Sequence, residues 1–585
     1  MSQTTESVRA LLVDGEQIEL RPAIHADEFA LIRLHDELSE RSVYLRFFTI
    51  NYAAGADFVH RLLELERPSG YCLVAVLAGE IVGMVSYQTL ETPQRAEVAL
   101  IVADRCQSRG VGTLLLEHVV SYARQHAINV FHAEVLAENS RMLRVFSDIG
   151  LTPSTRLVDG TLQVEIPLRY DDSYLDAIMV RERRADVASL TPLLEPTSVA
   201  VIGVSHRGVG AGYAVLTHLL EAGFHGPIHA VSPHAVQIAG VRAYPSVAEI
   251  PEPPELAVLA VPAAHVPDVA EQCGKCGVKA LVVLSSGLTS AAANRLIDSV
   301  HRFGMRMVGP NCIGLANTEP TVALDASFTQ RTAASGHVGI VTQSGGIGIA
   351  LLESLAQAGL GVSTFVSTGD KYDVSSNDLL LWWGQDNRTK VAVVYVESFG
   401  NPRKFSRLAR HVAAQTPIVA VRAAASPAAQ RAAQSHTAAS ATPAVTRDAL
   451  FRQAGVIPTD DLQETVEVVA LLSTQPIPDG SRVAIISNAG GGGVLAADAC
   501  DRYGLQLATI SNRDALTALL GTAATVANPI DTSAGVSPDI FADSITEAAA
   551  DPNVDAVLAI IAPTALGDLR GALDTAATKC AKPLL

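Results

Sequence analysis

No run of 18 apolar residues occurs in this 585-residue chain, and its first ten residues, MSQTTESVRA, hold no apolar signal core. Both absences argue against a membrane partner or a secretory leader and favour a reducing cytoplasm. Aromatic residues are scarce, at 5%, so the cores must be built from aliphatic and small side chains. The seven cysteines are odd in number and scattered. Cys273 and Cys276 have CxxC spacing, but no second pair completes a zinc site, so no metal is expected and the thiols read as plain ones. No long Lys/Arg stripe offsets the net charge of −17, which argues against nucleic acid as a partner. A phosphate-bearing ligand must therefore be held locally, by glycine loops, helix N-termini and single arginines.

What is present is a core-rich composition, 48% hydrophobic with 43 glycines, suited to α/β layers. The length suggests about four domains, and the pattern divides into residues 15–170, a charged linker at 171–194, then 195–325, 326–474 and 480–585. From Ser198 onward short apolar runs alternate with helical segments: Ile228 to Val231, Leu256 to Val261, Ala280 to Ser285, Arg306 to Val308, Val391 to Val396, Ile418 to Val421. This rhythm predicts parallel, doubly wound sheets, and an α/β multidomain protein overall. The sequence stops at Lys582-Pro-Leu-Leu585, where another strand is due, which reads as a shortened last domain.

The sharpest local signal is the turn Gln107-Ser-Arg109-Gly110-Val111-Gly112, between the strand run EVALIVA and a long amphipathic helix. Two glycines allow close backbone approach, and the first helical N–H groups point outward, a natural seat for a diphosphate. Arg105 and Arg109 are expected to add positive charge there. Glu97 shares a strand face with Ala99 and Ile101; a carboxylate among apolar neighbours acquires a raised pKa and can act as a base, whereas a strand-end Glu that faces water does not. Asn139 either bonds the ligand or caps a helix.

These residues, with Asn139-Ser-Arg-Met142, the ending Val145 to Leu151 and the entry LSERSVYLRFF at 38–48, resemble the acetyl-CoA-binding core of the GNAT superfamily, and within it the domains of bacterial Pat-type protein acetyltransferases. The resemblance covers roughly the first 170 residues. It implies acetyl-CoA bound by Ile101, Val102, Gln107, Arg109, Gly110, Val111, Gly112, Thr113 and Asn139. Glu97 is then the general base that deprotonates a protein lysine, with an AMP-forming acetyl-CoA synthetase as the target partner.

From about residue 195 the runs VAVIGVS (199–205), VGPNCIGLAN (308–317), VTQSGGIGIALLE (341–353), STGDKYDVSSNDLL (367–380) and NAGGGGVLAADA (488–499) resemble ADP-forming acyl-CoA synthetases, relatives of succinyl-CoA synthetase. The resemblance implies a Rossmann-like CoA-binding domain followed by two flavodoxin-like domains, and a homo-oligomer. CoA is expected at Gly203, Ser205, Gly210, Ser285, Gly287, Pro310 and Asn311, in loops that follow strands. It also implies a phosphohistidine site at His436, oriented by Glu397, with the turn Ser344-Gly345 holding the phosphate. Ala438 stands where the family's motif has glycine, and no ATP-grasp domain is seen by residue 585.

The leading expectation is thus a lysine acetyltransferase with a CoA-binding regulatory region. The alternatives are an ADP-forming acyl-CoA synthetase component that needs a separate ATP-grasp domain, or a non-catalytic CoA-sensing scaffold.

Overall fold

Buried parallel strands need apolar residues on both faces, so they appear as short continuous runs closed by glycine or a polar turn. In the computed structural model, which describes residues 7–50, 53–64, 69–92, 94–169, 171–399, 401–422, 444–521 and 524–585, such runs form the centres of the sheets. The chain divides into two units, residues 1–458 and 459–585. Among the described residues no helix is long and apolar enough to cross a membrane.

The first sheet holds eight strands in the order β1-β2-β3-β4-β5-β6-β8-β7: β1 Val8–Leu11, β2 Gln17–Pro22, β3 Gly70–Leu77, β4 Glu80–Thr89, β5 Arg95–Val102, β6 Val130–Leu136, β7 Ser154–Val158 and β8 Thr161–Pro167. Helices α1 (Glu28–Asp36), α2 (Glu40–Phe47) and α3 (Ala53–Leu63) precede β3, α4 (Val111–Gln125) links β5 to β6, and α5 (Ser140–Asp148) follows β6. The amphipathic α4 buries Leu115, Leu116 and Val119 completely, each contributing roughly 1.5–3 kcal/mol of apolar transfer energy. β5 and β6 are the parallel neighbours of this sheet, and they pair only from Arg95↔Val130 to Glu97↔His132. Beyond Glu97 they part, and the opening between them is the site described below.

The charged segment 171–194 is a 23-residue helix, α6 (Asp172–Leu194), rather than an irregular linker. The Asp171 carboxylate accepts the Tyr174 N–H at 3.0 Å and starts it. Its apolar residues follow no single stripe because successive stretches pack on different bodies: Tyr174 lies in the core of the first sheet, and Leu190, Leu193 and Leu194 in the core that follows.

The second sheet runs β11-β12-β10-β9-β13-β14-β15, with β9 Val199–Ile202, β10 Ile228–Val231, β11 Gln237–Ile238, β12 Val241–Tyr244, β13 Leu256–Leu259, β14 Ala280–Val283 and β15 Arg306–Val308. β9 pairs in parallel with both β10 and β13, so strand order reverses at β9, where doubly wound sheets open their ligand crevice. Helices α7 (Ala211–Ala222), α8 (Val266–Cys276) and α9 (Ser290–Arg302) cross over between strands. Cys273 is buried in α8 and its thiol is pushed up to about 12 by burial.

The third sheet, ordered β17-β16-β19-β18-β20-β21-β22, comprises β16 Gly314–Asn317, β17 Leu324–Ser327, β18 Ser335–Thr342, β19 Val362–Ser367, β20 Val391–Tyr395, β21 Ile418–Val421 and β22 Ile457–Thr459. The antiparallel pair β16–β17 has no counterpart in the sequence reading. Helices α10 (Gly345–Gln357), α11 (Ser376–Trp383) and α12 (Pro402–Ala413) flank it. In the second unit β23 (Arg482–Ser487) lies among β24 (Gln506–Leu507), β25 (Ile530–Asp531) and β26 (Ala556–Ile560), all parallel to it.

Candidate acyl-CoA sites

The parting of β5 from β6 opens a cleft of about 1170 Å³, somewhat above the roughly 300–1,000 Å³ typical of small-molecule sites. It is lined by Glu97 to Val102, Gln107, Ser108, Gly110 to Thr113 and Asn139, so one cavity gathers the expected residues with one exception. α4 begins at Gly110, with φ at +89°, and no side chain caps it. The first N–H groups of α4 are therefore left for a ligand, and the wall fits a diphosphate. A Cβ on Gly112 would lie 3.1 Å from Leu100, so glycine lets α4 sit against β5.

The exception is Arg109. Its side chain turns to the β1–β2 turn, donating from Nε to Asp14 at 2.7 Å and pairing with Glu16. Burial opposes its charge, but the two carboxylates outweigh it and raise the guanidinium pKa. Arg105 likewise pairs with Glu37 at 3.3 Å and Glu80 at 2.6 Å. The expectation that these two arginines supply the cleft's positive charge is thus corrected: carboxylates closer in space already neutralise both.

Gln107 ties the turn to its surroundings. Its Nε2 donates to Val102 O at 3.2 Å and Asp104 at 2.9 Å, and its Oε1 accepts from Arg141 at 2.7 Å. Asp104 also accepts from the Ser39 N–H at 2.7 Å and from Ser42 Oγ at 2.5 Å. Burial pushes this carboxyl up, and the hydrogen bonds more than reverse the effect, leaving it below its ordinary value. Asn139 is the α5 cap, accepting the Met142 N–H at 3.2 Å, while also lining the cleft.

Glu97 is exposed on the cleft wall, not enclosed by apolar neighbours as the strand pattern suggested. Arg46, from the entry run LSERSVYLRFF, lines the same cleft. Its guanidinium lies 4.9 Å from the Phe58 ring centroid and 5.0 Å from that of Phe47, and its Nε is buried without a hydrogen-bond partner. Burial lowers its pKa to about 10, opposed by the charge of Glu97.

At the second sheet, Gly203 closes β9 with φ at +91°, and a Cβ there would sit 2.5 Å from Ala260 O. Gly210 opens α7 uncapped at φ +93°, and the Ser205 hydroxyl holds the turn between them by accepting the Arg207 N–H at 3.2 Å. Ser285 Oγ donates to Val261 O at 2.5 Å and Ser285 O accepts the Asn311 N–H at 2.9 Å. Gly287, φ +77°, continues the same loop. Gly203, Ser205, Gly210, Ser285, Gly287, Pro310 and Asn311 thus all lie in loops at the carboxyl ends of neighbouring parallel strands.

Those loops continue into the third sheet. Asn311 Nδ2 donates to Asp370 at 3.1 Å, and Pro310 O accepts the Asp370 N–H at 2.9 Å. The neighbouring Lys371 Nζ donates to Ser398 O at 2.5 Å, and Gln343 Oε1 accepts the N–H groups of Glu397 and Ser398. Ser344 caps α10 and Gly345 follows it. The structure therefore brings Glu397, Ser344 and Gly345 together through Gln343. Burial lowers the Lys371 pKa and Glu397 opposes this. Gln343 opens the turn Gln343-Ser344-Gly345-Gly346 expected to hold phosphate, whereas Lys371, in the run STGDKYDVSSNDLL, carried no expected role because a lone lysine in a loop marks no motif. His436 lies outside the described residues.

The folds and sites define a CoA-handling α/β protein with an acetyltransferase-type domain at its N-terminal end. Residues 37–151 match the acetyltransferase (GNAT) family, 197–318 a CoA binding domain, 335–472 a succinyl-CoA ligase like flavodoxin domain and 483–566 a ligase-CoA domain. The alpha subunit of ADP-forming acetate–CoA ligase II from Pyrococcus furiosus is 35% identical over 381 residues, which cover 64% of this chain and 82% of that one. A dinucleotide-forming acetyl-coenzyme A synthetase 1 from Ca. Korarchaeum cryptofilum, solved with phosphate and ADP, is 31% identical with a TM-score of 0.65, over 68% of this chain and 88% of that one. The GNAT domain of S. lividans PAT is 32% identical over 28% of this chain and 96% of that one, with a TM-score of 0.26. The chain belongs to the family of ADP-forming acetate–CoA ligases. It spans about half the length of other curated relatives it matches, 57% of one from Archaeoglobus fulgidus and 49% of one from Methanocaldococcus jannaschii. The expected α/β architecture of a GNAT domain, a CoA-binding domain and flavodoxin-like ligase domains is the one present. The relatives favour the ligase alternative over lysine acetylation.

Proposed function

We propose that residues from about 195 onward are the CoA- and acyl-phosphate-handling part of an ADP-forming acyl-CoA ligase, which acts with a nucleotide-binding domain or subunit. The observation that carries this reading is the continuous path Ser285–Asn311–Asp370 and Lys371–Ser398–Gln343, which joins the CoA-binding sheet edge to the start of α10. A thioester carbonyl at that edge is attacked by inorganic phosphate, the C–S bond breaks, and CoA leaves as acyl phosphate forms. The imidazole of His436, which Glu397 orients, then attacks the phosphorus of the acyl phosphate, the bond from phosphorus to the acyl oxygen breaks and the carboxylate leaves, while the α10 N-terminus holds the phosphoryl charge. The test is to incubate the full chain with acetyl-CoA and radiolabelled phosphate. Phosphate-dependent CoA release and a label on His436, lost in H436N and weakened in E397Q, are expected. No label and no CoA release would refute the reading.

The cleft in the first domain supports a second activity, N-acetyl transfer to a protein lysine, with an AMP-forming acetyl-CoA synthetase as the partner of choice. Acetyl-CoA, when bound, supplies the activated acetyl group. The chain's own contribution is threefold. The α4 N-terminus holds the diphosphate. The β5 N–H groups beyond Glu97, released from pairing with β6, face the reacting carbonyl oxygen. Glu97, directly or through water, takes the proton of an amine whose solution pKa is near 10.4. Mass spectrometry of the synthetase after incubation with acetyl-CoA tests this. E97Q is expected to slow transfer about 10²-fold, and full activity in E97Q removes Glu97 from the role.

A further inference from the structure

The cleft between β5 and β6 must balance the charge of a CoA nucleotide, yet Arg109 of its glycine turn and Arg105 just before that turn are held by carboxylates elsewhere. Six other arginines line it: Arg41, Arg46, Arg141, Arg144, Arg181 and Arg184. Two of these stand on α6, beyond the 37–151 span that matches the GNAT family. α6 meets this domain closely: a Cβ on Gly150 would lie 2.8 Å from Ser173 O and 2.9 Å from Ala177, and Arg181 pairs with the buried Glu117 of α4. Arg184, one turn further, and Arg144 on α5 are both exposed, line the same cleft and make no ion pair among the described residues.

We propose that α6 completes the acyl-CoA site of the first domain, with Arg184 and Arg144 binding the phosphate groups of CoA across the mouth of the cleft. This rests on the reading of the cleft as an acetyl-CoA site and adds residues that the GNAT motif does not contain. It has a structural consequence. The same helix is fastened to the ligase region immediately beyond, where Asp186 pairs with Lys404 at 3.2 Å and Ser189 accepts from Arg306. Cofactor bound in the cleft therefore rests partly on a helix that the CoA-binding and flavodoxin domains hold in place.

Hydrogen exchange read by mass spectrometry on the full chain, titrated with acetyl-CoA, tests this site by site. Segment 107–113 reports the cleft, and segment 176–184 reports α6. Protection of both at the same ligand concentration is expected. In R184Q the concentration that half-protects 107–113 should rise about fivefold, the scale of one exposed charge pair, while the response to acetyl-pantetheine, which lacks the nucleotide phosphates, should not change. Both variants at once, R144Q with R184Q, should raise it further. Protection of 107–113 without protection of 176–184, and with R184Q like the parent, would overturn the role of α6 and leave the cleft intact. Absence of protection at 107–113 would remove the cleft reading itself, and this proposal with it. A melting curve unchanged in R184Q separates loss of binding from loss of fold.

Discussion

Arg109 Nε donates to Asp14 at 2.7 Å, so the one cation inside the glycine turn braces the β1–β2 hairpin instead of facing the cleft. Arg109→Gln is therefore expected to act on stability. Leaving Asp14 and Glu16 without their partner should cost about 1–2 kcal/mol, seen as a lower midpoint in urea. Affinity for acetyl-CoA should change less than about threefold. A large affinity loss with unchanged stability would return Arg109 to the ligand.

Glu117 offers a pH test. Burial pushes its carboxyl up to about 7, against the opposing charge of Arg181. A carboxyl with a folded pKa above its unfolded value near 4.3 binds more protons when folded, so its contribution to stability falls as pH rises between about 4.3 and 7. The difference between about 4.3 and about 7 corresponds to at most about 4 kcal/mol. Glu117→Gln should flatten this part of the stability profile relative to the parent, as measured by denaturation at pH 4.5, 5.5, 6.5 and 7.5. Parallel profiles would show that Glu117 stays ionised throughout.

Arg306 is buried at the start of β15 and bonds Asp373 at 2.9 Å and Asp378 at 3.0 Å, with Ser189 of α6 as a third partner. Its removal leaves two carboxylates without a counter-charge. Arg306→Met should cost about 3–5 kcal/mol, read by chemical denaturation. A loss under 1 kcal/mol would mean that water reaches the carboxylates.

Gly203→Ala examines the second site. Alanine at φ +91° is strained, and its Cβ would meet Ala260 O at 2.5 Å, so the loop must shift away from the crevice. Exchange protection of residues 203–212 on adding CoA should need at least about tenfold more ligand. The cleft at 107–113 should respond as before, since the two loops belong to different sheets.

Much of the architecture was legible because its strands are parallel and buried on both faces. Ile228 to Val231, Arg306 to Val308 and Ile418 to Val421 are strands with the limits their apolar runs suggest. The Gln107 to Gly112 turn was equally legible, since positive φ at Gly110 leaves a mark in the residue type itself. The pair β16–β17 was not, because its buried polar residues break the apolar run: Asn317 is satisfied by the distant Leu194 O, and Asp325 by Ser327 at the end of its own strand and Ala333 beyond it. α6 was not legible either: a helix packed by several bodies shows no single apolar face.

Taken alone, the sequence determined the layers, the order of the domains and the backbone turns able to receive phosphate, because these follow from local periodicity and from where only glycine fits. Tertiary structure decided where the charges go. It turned Arg109 to Asp14, left Glu97 exposed on a cleft that Arg46 also lines, and brought Arg184 to the cleft that holds the Gln107 to Gly112 turn. Charge pairing depends on distances in space, and residues far apart along the chain set those distances only when the sheets and α6 have packed.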